Sequence, residues 1–253
     1  MDYRRPINMS TVNGGWRGQN IVKDGLILYI DAGSPNSYYS PNAGTTWKDI
    51  SGSGNNGTLI NGPTFNSSNG GSIVFDGVDD YTLISPTAEL ASIQVPMSIM
   101  GWYWDNGTKP TPTIFSQYLN TTPGNLVKLV RVQSGVLTYF TSRAIAPGFS
   151  VFSLTGATSQ YNTWNFFAIT TSGTLASHTV TLTLNTTTSS FSGTIMANPN
   201  TTVQVRFGAA QSTFQSSNEF LAGRIGEIFV YNKTLTSTEI SQNYNATRGR
   251  FGV

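Results

Sequence analysis

Between Ser72 and Ser85 the chain reads Ser-Ile-Val-Phe-Asp-Gly-Val-Asp-Asp-Tyr-Thr-Leu-Ile-Ser, a pattern that few folds accommodate. Ile73 and Phe75 fall on one face of a short strand, with Val74 opposite. Tyr81 and Leu83 share a face of a second strand, opposed by Thr82 and Ile84. Asp76-Gly77 between them supplies the left-handed backbone that a tight hairpin demands, so the strands are expected to fold back on each other. Mixed apolar and polar faces suit antiparallel strands with one side on a core, the unit of a β-sandwich.

Strand patterns recur along the rest of the chain. Residues 25–30, Gly-Leu-Ile-Leu-Tyr-Ile, form a continuous apolar run that predicts burial on both faces. In residues 99–104, Met100, Trp102 and Trp104 share one face, an aromatic load large enough to fill a sandwich interior. Further strands are expected at 113–118, 126–132, 136–140, 164–169, 179–184, 203–207 and 223–233. Gln133-Ser134-Gly135 reads as a hairpin turn, and Thr179 to Leu184 alternates threonine with aliphatic residues. After the last strand, Thr236 and Glu239 form a capping box flanked by Leu235 and Ile240 at staple spacing, which predicts one short helix. No linker divides the pattern, so one domain is expected over 25–253.

The chain has 253 residues, of which only 10% are charged, and its formal net charge is +2. Such a surface favours neutral partners and gives no reason to invoke nucleic acid. With no cysteine, the fold holds by burial rather than by disulfides. No apolar run is long enough to cross a bilayer, and the basic residues at the start are not followed by the apolar stretch of a signal peptide. Residues 1–24 set Tyr3, Ile7 and Trp16 among Arg4, Arg5, Arg17, Gly, Asn and Pro. They read as a disordered terminus or as an arm that docks on a neighbour through Tyr3, Arg4, Arg5, Ile7 and Trp16; the cost of leaving Trp16 in water favours docking.

Three stretches follow one another closely: GLILYIDAG, GTTWKDISGSGNNGTLINGPTF and GGSIVFDGVDDY. Together with LTSTEI and NYNATRGRFG near the end, they resemble the laminin-G-like, concanavalin A-like jelly-roll domains, and in particular those of virion proteins of tailed bacteriophages, including cyanophages. The resemblance runs from about residue 25 to the C-terminus and is clearest at the two ends. It implies an all-β fold, an antiparallel two-sheet jelly-roll sandwich with one short C-terminal helix. Ser40-x-Asn42-x-Gly44-x-Thr46-Trp47 imitates the Asp-box of sialidases, but it occurs once, without a blade-length repeat. Trp47 is therefore expected to anchor a loop over the core.

The residues offer little chemistry. A glycosidase needs two carboxyl groups roughly 5–9.5 Å apart, and jelly-roll glucanases commonly carry them close together on one strand. The four glutamates are Glu89, Glu219, Glu227 and Glu239, and none has another carboxylate two to four positions away. Glu239 is accounted for as a helix cap, which leaves Glu227 as the one candidate acid against its plainer role as a strand residue. His178, the only histidine, lacks a Gly-x-Ser-x-Gly elbow and is expected in a surface loop. One histidine and no cysteine exclude zinc sites of ordinary composition.

Calcium fits better. Asp31, Asp49, Asp76, Asp79 and Asp80 lie in expected loops, with Asn55 and Asn56 near, and jelly rolls of this kind often hold Ca2+ on such oxygens. The same residues also populate turns simply because they stabilise them. Sugar binding would draw on exposed aromatics, for which Tyr38, Tyr39, Tyr103, Tyr118 and Tyr139 are candidates, each with a competing core role.

The resemblance implies a non-enzymatic virion subunit, a capsid decoration or tail-associated protein assembled in the host cytoplasm. Its partners would be other virion proteins in an oligomeric assembly, joined through residues 1–24 and the basic Arg248 and Arg250, with host-surface polysaccharide as a further contact. The alternatives are a free carbohydrate-binding module or lectin, and a polysaccharide-cleaving glycosidase.

Overall fold

The structure is a computed structural model, and it describes residues 20–38, 44–119, 126–145, 148–194, 204–210 and 219–253. In chain order the strands begin with β1 (Leu26–Asp31), β2 (Thr46–Trp47), β3 (Gly57–Ile60), β4 (Thr64–Asn66), β5 (Ser72–Asp76) and β6 (Tyr81–Ile84). A short helix α1 (Ala88–Ser92) precedes β7 (Met97–Asp105), β8 (Thr113–Leu119), β9 (Leu126–Gln133), β10 (Val136–Ile145) and β11 (Gly148–Thr158). Then come β12 (Trp164–Gly173), β13 (His178–Leu184), β14 (Thr187–Gly193), β15 (Val205–Phe207), β16 (Ala222–Tyr231) and helix α2 (Ser237–Phe251).

These strands make two antiparallel sheets. One runs β14-β13-β12-β7-β16-β5-β4, and β1 joins it by pairing with the second half of β16. The other runs β11-β10-β9-β8-β15-β6-β3-β2. The sheets face each other as a jelly-roll sandwich, with α2 laid on the outer face of the first. Because β1 and β16 are neighbours, the start and end of the domain close on one another, as a double-sheet roll requires.

The hairpin expected from 72–85 does not form. β5 lies in the first sheet, between β16 and β4, whereas β6 lies in the second, between β15 and β3. Residues 77–80 carry the chain from one sheet to the other. Gly77 does take the left-handed backbone (φ +76°). The Asp80 carboxylate accepts the Asp76 N–H (3.0 Å), an interaction that bends the chain through an arch rather than a two-residue turn. The Asp-Gly pair was a sound sign of a reversal, but its partner strand was set by burial. The core-facing Phe75 and Ile84 fill the space between the sheets from opposite sides. By contrast, β9 and β10 form the expected hairpin, with Ser134 and Gly135 both at positive φ.

In its central strands β7, β12 and β16 the first sheet is buried on both faces. Ile73, Ile99, Phe167, Val180 and Ile225 point to the second sheet, where they meet Ile84, Phe115, Val130, Tyr139 and Phe207. On the other face, Tyr29, Met100, Trp102, Trp164, Phe166 and Phe229 pack beneath Leu235 and Phe251. Met100 and Trp102 therefore line the helix-covered face, not the sandwich interior expected of them. Ile99 and Tyr103, on the opposite side of β7, take the interior instead.

Helix α2 starts where the sequence places it. Thr236 Oγ1 accepts the Glu239 N–H (3.2 Å), and the Glu239 carboxylate accepts the Thr236 N–H (2.8 Å). Leu235 and Ile240 pack into the same cluster, completing the staple. The helix ends at Gly252, which takes the left-handed conformation.

Residues 20–24, which the sequence assigns to the arm, are packed against this layer. Ile21 and Val22 are buried, and the Val22 N–H donates to Asn243 Oδ1 (2.8 Å).

Candidate functional site

Two loops that follow β1 and lead from β2 open a groove of about 630 Å³ lined by Pro35, Asn36, Ser37, Thr46, Lys48, Asp49, Ile50 and Gly52. This volume is in the range of small-ligand sites. Its walls are tied by a set of hydrogen bonds. Ser37 Oγ donates to the Lys48 carbonyl (2.5 Å) and accepts the Asp31 N–H (3.0 Å). The Lys48 N–H in turn donates to the Ser37 carbonyl (2.8 Å). Asp49 ties the second loop. One carboxylate oxygen accepts the N–H groups of Tyr29 (2.9 Å) and Ser51 (2.8 Å), and the other accepts Ser51 Oγ and the Asn55 N–H (both 2.9 Å). Asn36, Thr46 and Lys48 project outward from this frame as exposed polar side chains. None of the three stands out in the sequence, where they sit among ordinary turn residues; the groove arises from how two separated loops are clamped.

Of the five aspartates that could serve calcium, the structure divides two from three. Asp49 is committed to the loop frame. Asp31 pairs with Arg250 and accepts the Gly33 N–H (2.8 Å) and the Tyr29 hydroxyl (3.3 Å). Neither has oxygens to offer a cation from solvent. Asp76, Asp79 and Asp80 converge at the inter-sheet arch, with one carboxylate oxygen from each within 4.8 Å of the others. Burial, followed by the charges of Asp76 and Asp79, pushes the Asp80 carboxyl up, while the Asp76 N–H opposes the shift. Hard carboxylate oxygens held this close form a Ca2+-type donor cluster.

Glu227 does meet a second carboxylate, but in a sealed place. It is the cross-strand partner of Asp31 and faces α2 because a bulge between Ile225 and Glu227 resets the alternation of β16. Arg250 reaches down from the helix between the two acids. It pairs with Asp31, stands 3.8 Å from Glu227 Oε2, and donates to the carbonyls of Asn69 and Gly71. A Cβ at Gly33 would lie 2.6 Å from the guanidinium carbon, so glycine there makes room for the arginine. Burial first, and the charge of Asp31 second, hold the Glu227 carboxyl up at about 8 against the pull of Arg250. With Glu227 fully buried and Asp31 nearly so, neither a sugar nor an attacking water reaches the pair.

His178 departs from expectation. It opens β13 as a buried residue, not in a surface loop, with Nδ1 2.7 Å from the Gly193 carbonyl on the neighbouring strand, and burial lowers its pKa.

Among the tyrosines, Tyr103 and Tyr139 are fully buried in the inter-sheet core, so neither presents a ring face to a ligand. Tyr103 bonds Ser159 through its hydroxyl (2.8 Å). Tyr38 stacks on Phe65 with ring centroids 5.6 Å apart. Tyr118 lies in β8, and Tyr39 falls outside the described residues, as do Tyr3, Arg4, Arg5, Ile7 and Trp16. Arg250 belongs to the buried cluster beneath α2 and is closed to any partner, whereas Arg248 is exposed on the same helix. Trp47 is wholly buried in the inter-sheet core, as an anchor for its loop should be.

No family model matches the chain, and no curated protein matches it. Solved structures do. One is of botulinum neurotoxin type C, whose cell entry is dependent upon interaction with two ganglioside molecules. It aligns with 89% of this chain and 52% of its own, at TM-score 0.66 and 15% identity. The binding domain of botulinum neurotoxin DC in complex with SialylT aligns over 89% and 52%, at TM-score 0.63 and 14% identity. The binding domain of Paraclostridial Mosquitocidal Protein 1 aligns over 90% and 53%, at TM-score 0.63 and 14% identity. Sequence identity this low speaks for the fold, a lectin-like jelly roll. The chain spans about half the length of the structures it matches.

Proposed function

We propose that this chain is a non-enzymatic, lectin-like carbohydrate-binding domain. The observation that carries the reading is the groove between the 35–37 and 46–52 loops: framed by hydrogen bonds, open, and rimmed by Asn36, Thr46 and Lys48. Amide, hydroxyl and ammonium groups on a fixed frame are what a hydroxyl-rich ligand needs for orientation. The neurotoxin structures of the same fold, one described with gangliosides and one with SialylT, support a glycan as the partner class. The sealing of Glu227 and Asp31 beneath α2 supports binding without cleavage.

The test is binding of the full chain to an array of glycans, followed by the Asn36→Ala/Lys48→Ala double variant on whatever is retained. Loss of binding by about tenfold or more, with an unchanged melting midpoint, is the expected outcome. Release of reducing sugar from any bound polysaccharide would overturn the non-enzymatic part.

A finer reading places the domain on a phage particle, attached through residues 1–24 and reaching host-surface polysaccharide. Its support is the similarity of sequence motifs to phage virion proteins. Mass spectrometry of purified particles tests it, and absence of the chain from them would remove the placement while leaving glycan binding intact.

A further inference from the structure

Three loops meet at the end of the sandwich where β7 finishes: residues 106–112, the 133–136 turn and residues 159–163. Backbone bonds join them. The Ser159 N–H donates to the Gly135 carbonyl (2.8 Å) and the Asn162 N–H to the Asp105 carbonyl (2.8 Å). Asn165 braces the third loop from within, donating to the Gln160 carbonyl (2.7 Å) and accepting the Gln160 N–H (3.2 Å).

On this frame lies Tyr161, which is 44% exposed and is the one aromatic among the large apolar side chains left exposed in the described residues. Its ring is seated rather than merely left out. A Cβ placed on Gly107 would lie 2.8 Å from the ring carbon Cγ and 3.0 Å from both Cδ atoms, a near-equal spacing that puts Gly107 under the flat of the ring. A Cβ on Gly135 would lie 3.0 Å from the hydroxyl. Both glycines have positive φ (+75° and +81°), so each meets a backbone demand as well as clearing the ring. One face of Tyr161 is thus used up by glycine backbone, and its exposure belongs to the other.

The surroundings narrow what that face can meet. Asn106, Thr108, Ser134, Gln160 and Asn162 in the same loops are uncharged, and the Asp105 carboxylate at their base is fully buried. The one charged residue of the three loops, Lys109, is half-buried and runs to the inter-sheet arch, where its Cε would lie 3.0 Å from a Cβ on Gly77. A flat apolar face ringed by neutral hydrogen-bonding groups suits a ligand that is itself apolar on one side and hydroxylated at its edge. We infer that Tyr161 is a stacking platform for a neutral pyranose, a saccharide contact on loops other than those that line the groove. The inference rests on the carbohydrate-binding reading above.

The experiment is affinity electrophoresis of the full chain through gels containing dextran, mannan, xylan or galactan, with melting midpoints measured in parallel. The wild type should be retarded by at least one of them. Tyr161→Ala should weaken that retardation by about tenfold, the loss expected when one aromatic face is removed. Tyr161→Leu, which still covers Gly107 but has no flat face, should lose binding likewise, while Tyr161→Trp keeps it, all with midpoints near the wild type. If the wild type is retarded and Tyr161→Leu is retarded equally, the platform is refuted and carbohydrate binding stands. If the wild type is retarded by none of the four, the platform for a neutral pyranose falls; if it is also retained by no glycan on the array, carbohydrate binding falls with it.

Discussion

Buried ionisable groups tie the stability of this molecule to pH, and Glu227 is the clearest case. Its folded-state pKa lies near 8, far above the ordinary carboxylate range. The folded protein therefore keeps a proton that the unfolded chain releases. The sign follows from linkage: the stability contributed by the protonated form is complete below the usual Glu pKa and is lost as pH rises toward 8. Relative to Glu227→Gln, wild-type unfolding free energy should fall by up to about 1.4 kcal/mol per pH unit across that window. Urea titrations of both proteins at about pH 5 and about pH 8 measure it; parallel curves would show that Glu227 is ionised in the fold. Asp80 answers to its neighbours in the same way. Since the charges of Asp76 and Asp79 add to burial in raising its pKa, Asp79→Asn should move the Asp80 titration to lower pH, read by carboxyl carbon NMR. The sequence shows Glu227 as an oddity in a strand and the three aspartates as a cluster. It does not show Arg250, more than 200 residues from Asp31, descending between two acids. That contact exists only because α2 lies across β1 and β16.

Among the elements, α2 was the most legible and the arch at 77–80 the least. A helix start is written in a few adjacent residues, so Thr236, Glu239, Leu235 and Ile240 were sufficient to locate it. The partner of a strand is not local. Alternation in 72–76 and 81–84 reports that each segment has a buried side, but it is silent on which sheet supplies the cover. The face of β7 is ambiguous for a related reason: a sheet covered on both sides by apolar layers has two interiors, and aromatic content does not distinguish them. β14, Thr-Thr-Ser-Ser-Phe-Ser-Gly, carries no alternation of apolar residues and stayed invisible. The outer layer makes a sharp prediction. Phe251 lies between Trp102 (ring centroids 4.6 Å apart) and Trp164 (4.7 Å), and a Cβ on Gly226 would approach it to 2.6 Å. Phe251→Ala should cost about 3–5 kcal/mol on the scale of buried aromatic truncations. Gly226→Ala, an addition of one methyl, should also destabilise, by about 1–3 kcal/mol through overpacking. Thr236→Ala should cost only about 1 kcal/mol, the value of a helix cap. Denaturant midpoints order the three, and a Gly226→Ala protein as stable as wild type would mean the ring has somewhere else to go.

For the molecule as a whole, the decisive property is that its two ends close on each other. The apolar run at 25–30 and the long strand at 223–233 predicted neighbours, and β1 pairs with β16 as expected. What the pattern did not reveal is that the closure begins earlier, because Asn20 to Asp24 have no periodicity and sit among turn residues. Their contacts are specific. Besides the bond from Val22 to Asn243, the Tyr231 hydroxyl donates to the Val22 carbonyl (3.0 Å), and Gln242 donates to the Asn20 carbonyl (2.9 Å). Ile21 and Val22 cover the same cluster as Phe251. The packed layer therefore begins at a defined point, Asn20. Removing residues 1–19 should leave the calorimetric midpoint near that of the full chain. Removing 1–24 should lower it by several degrees, since the burial of two aliphatic side chains, worth roughly 1.5–3 kcal/mol each, is lost with their hydrogen bonds. If residues 1–19 form a docking arm, the shorter deletion alone abolishes joining to its partners, whereas a failure seen only in the longer deletion would trace to a loosened α2. Equal midpoints for the two truncations would mean that Ile21 and Val22 do not seal the helix layer, and that the domain is closed by β1 and β16 alone.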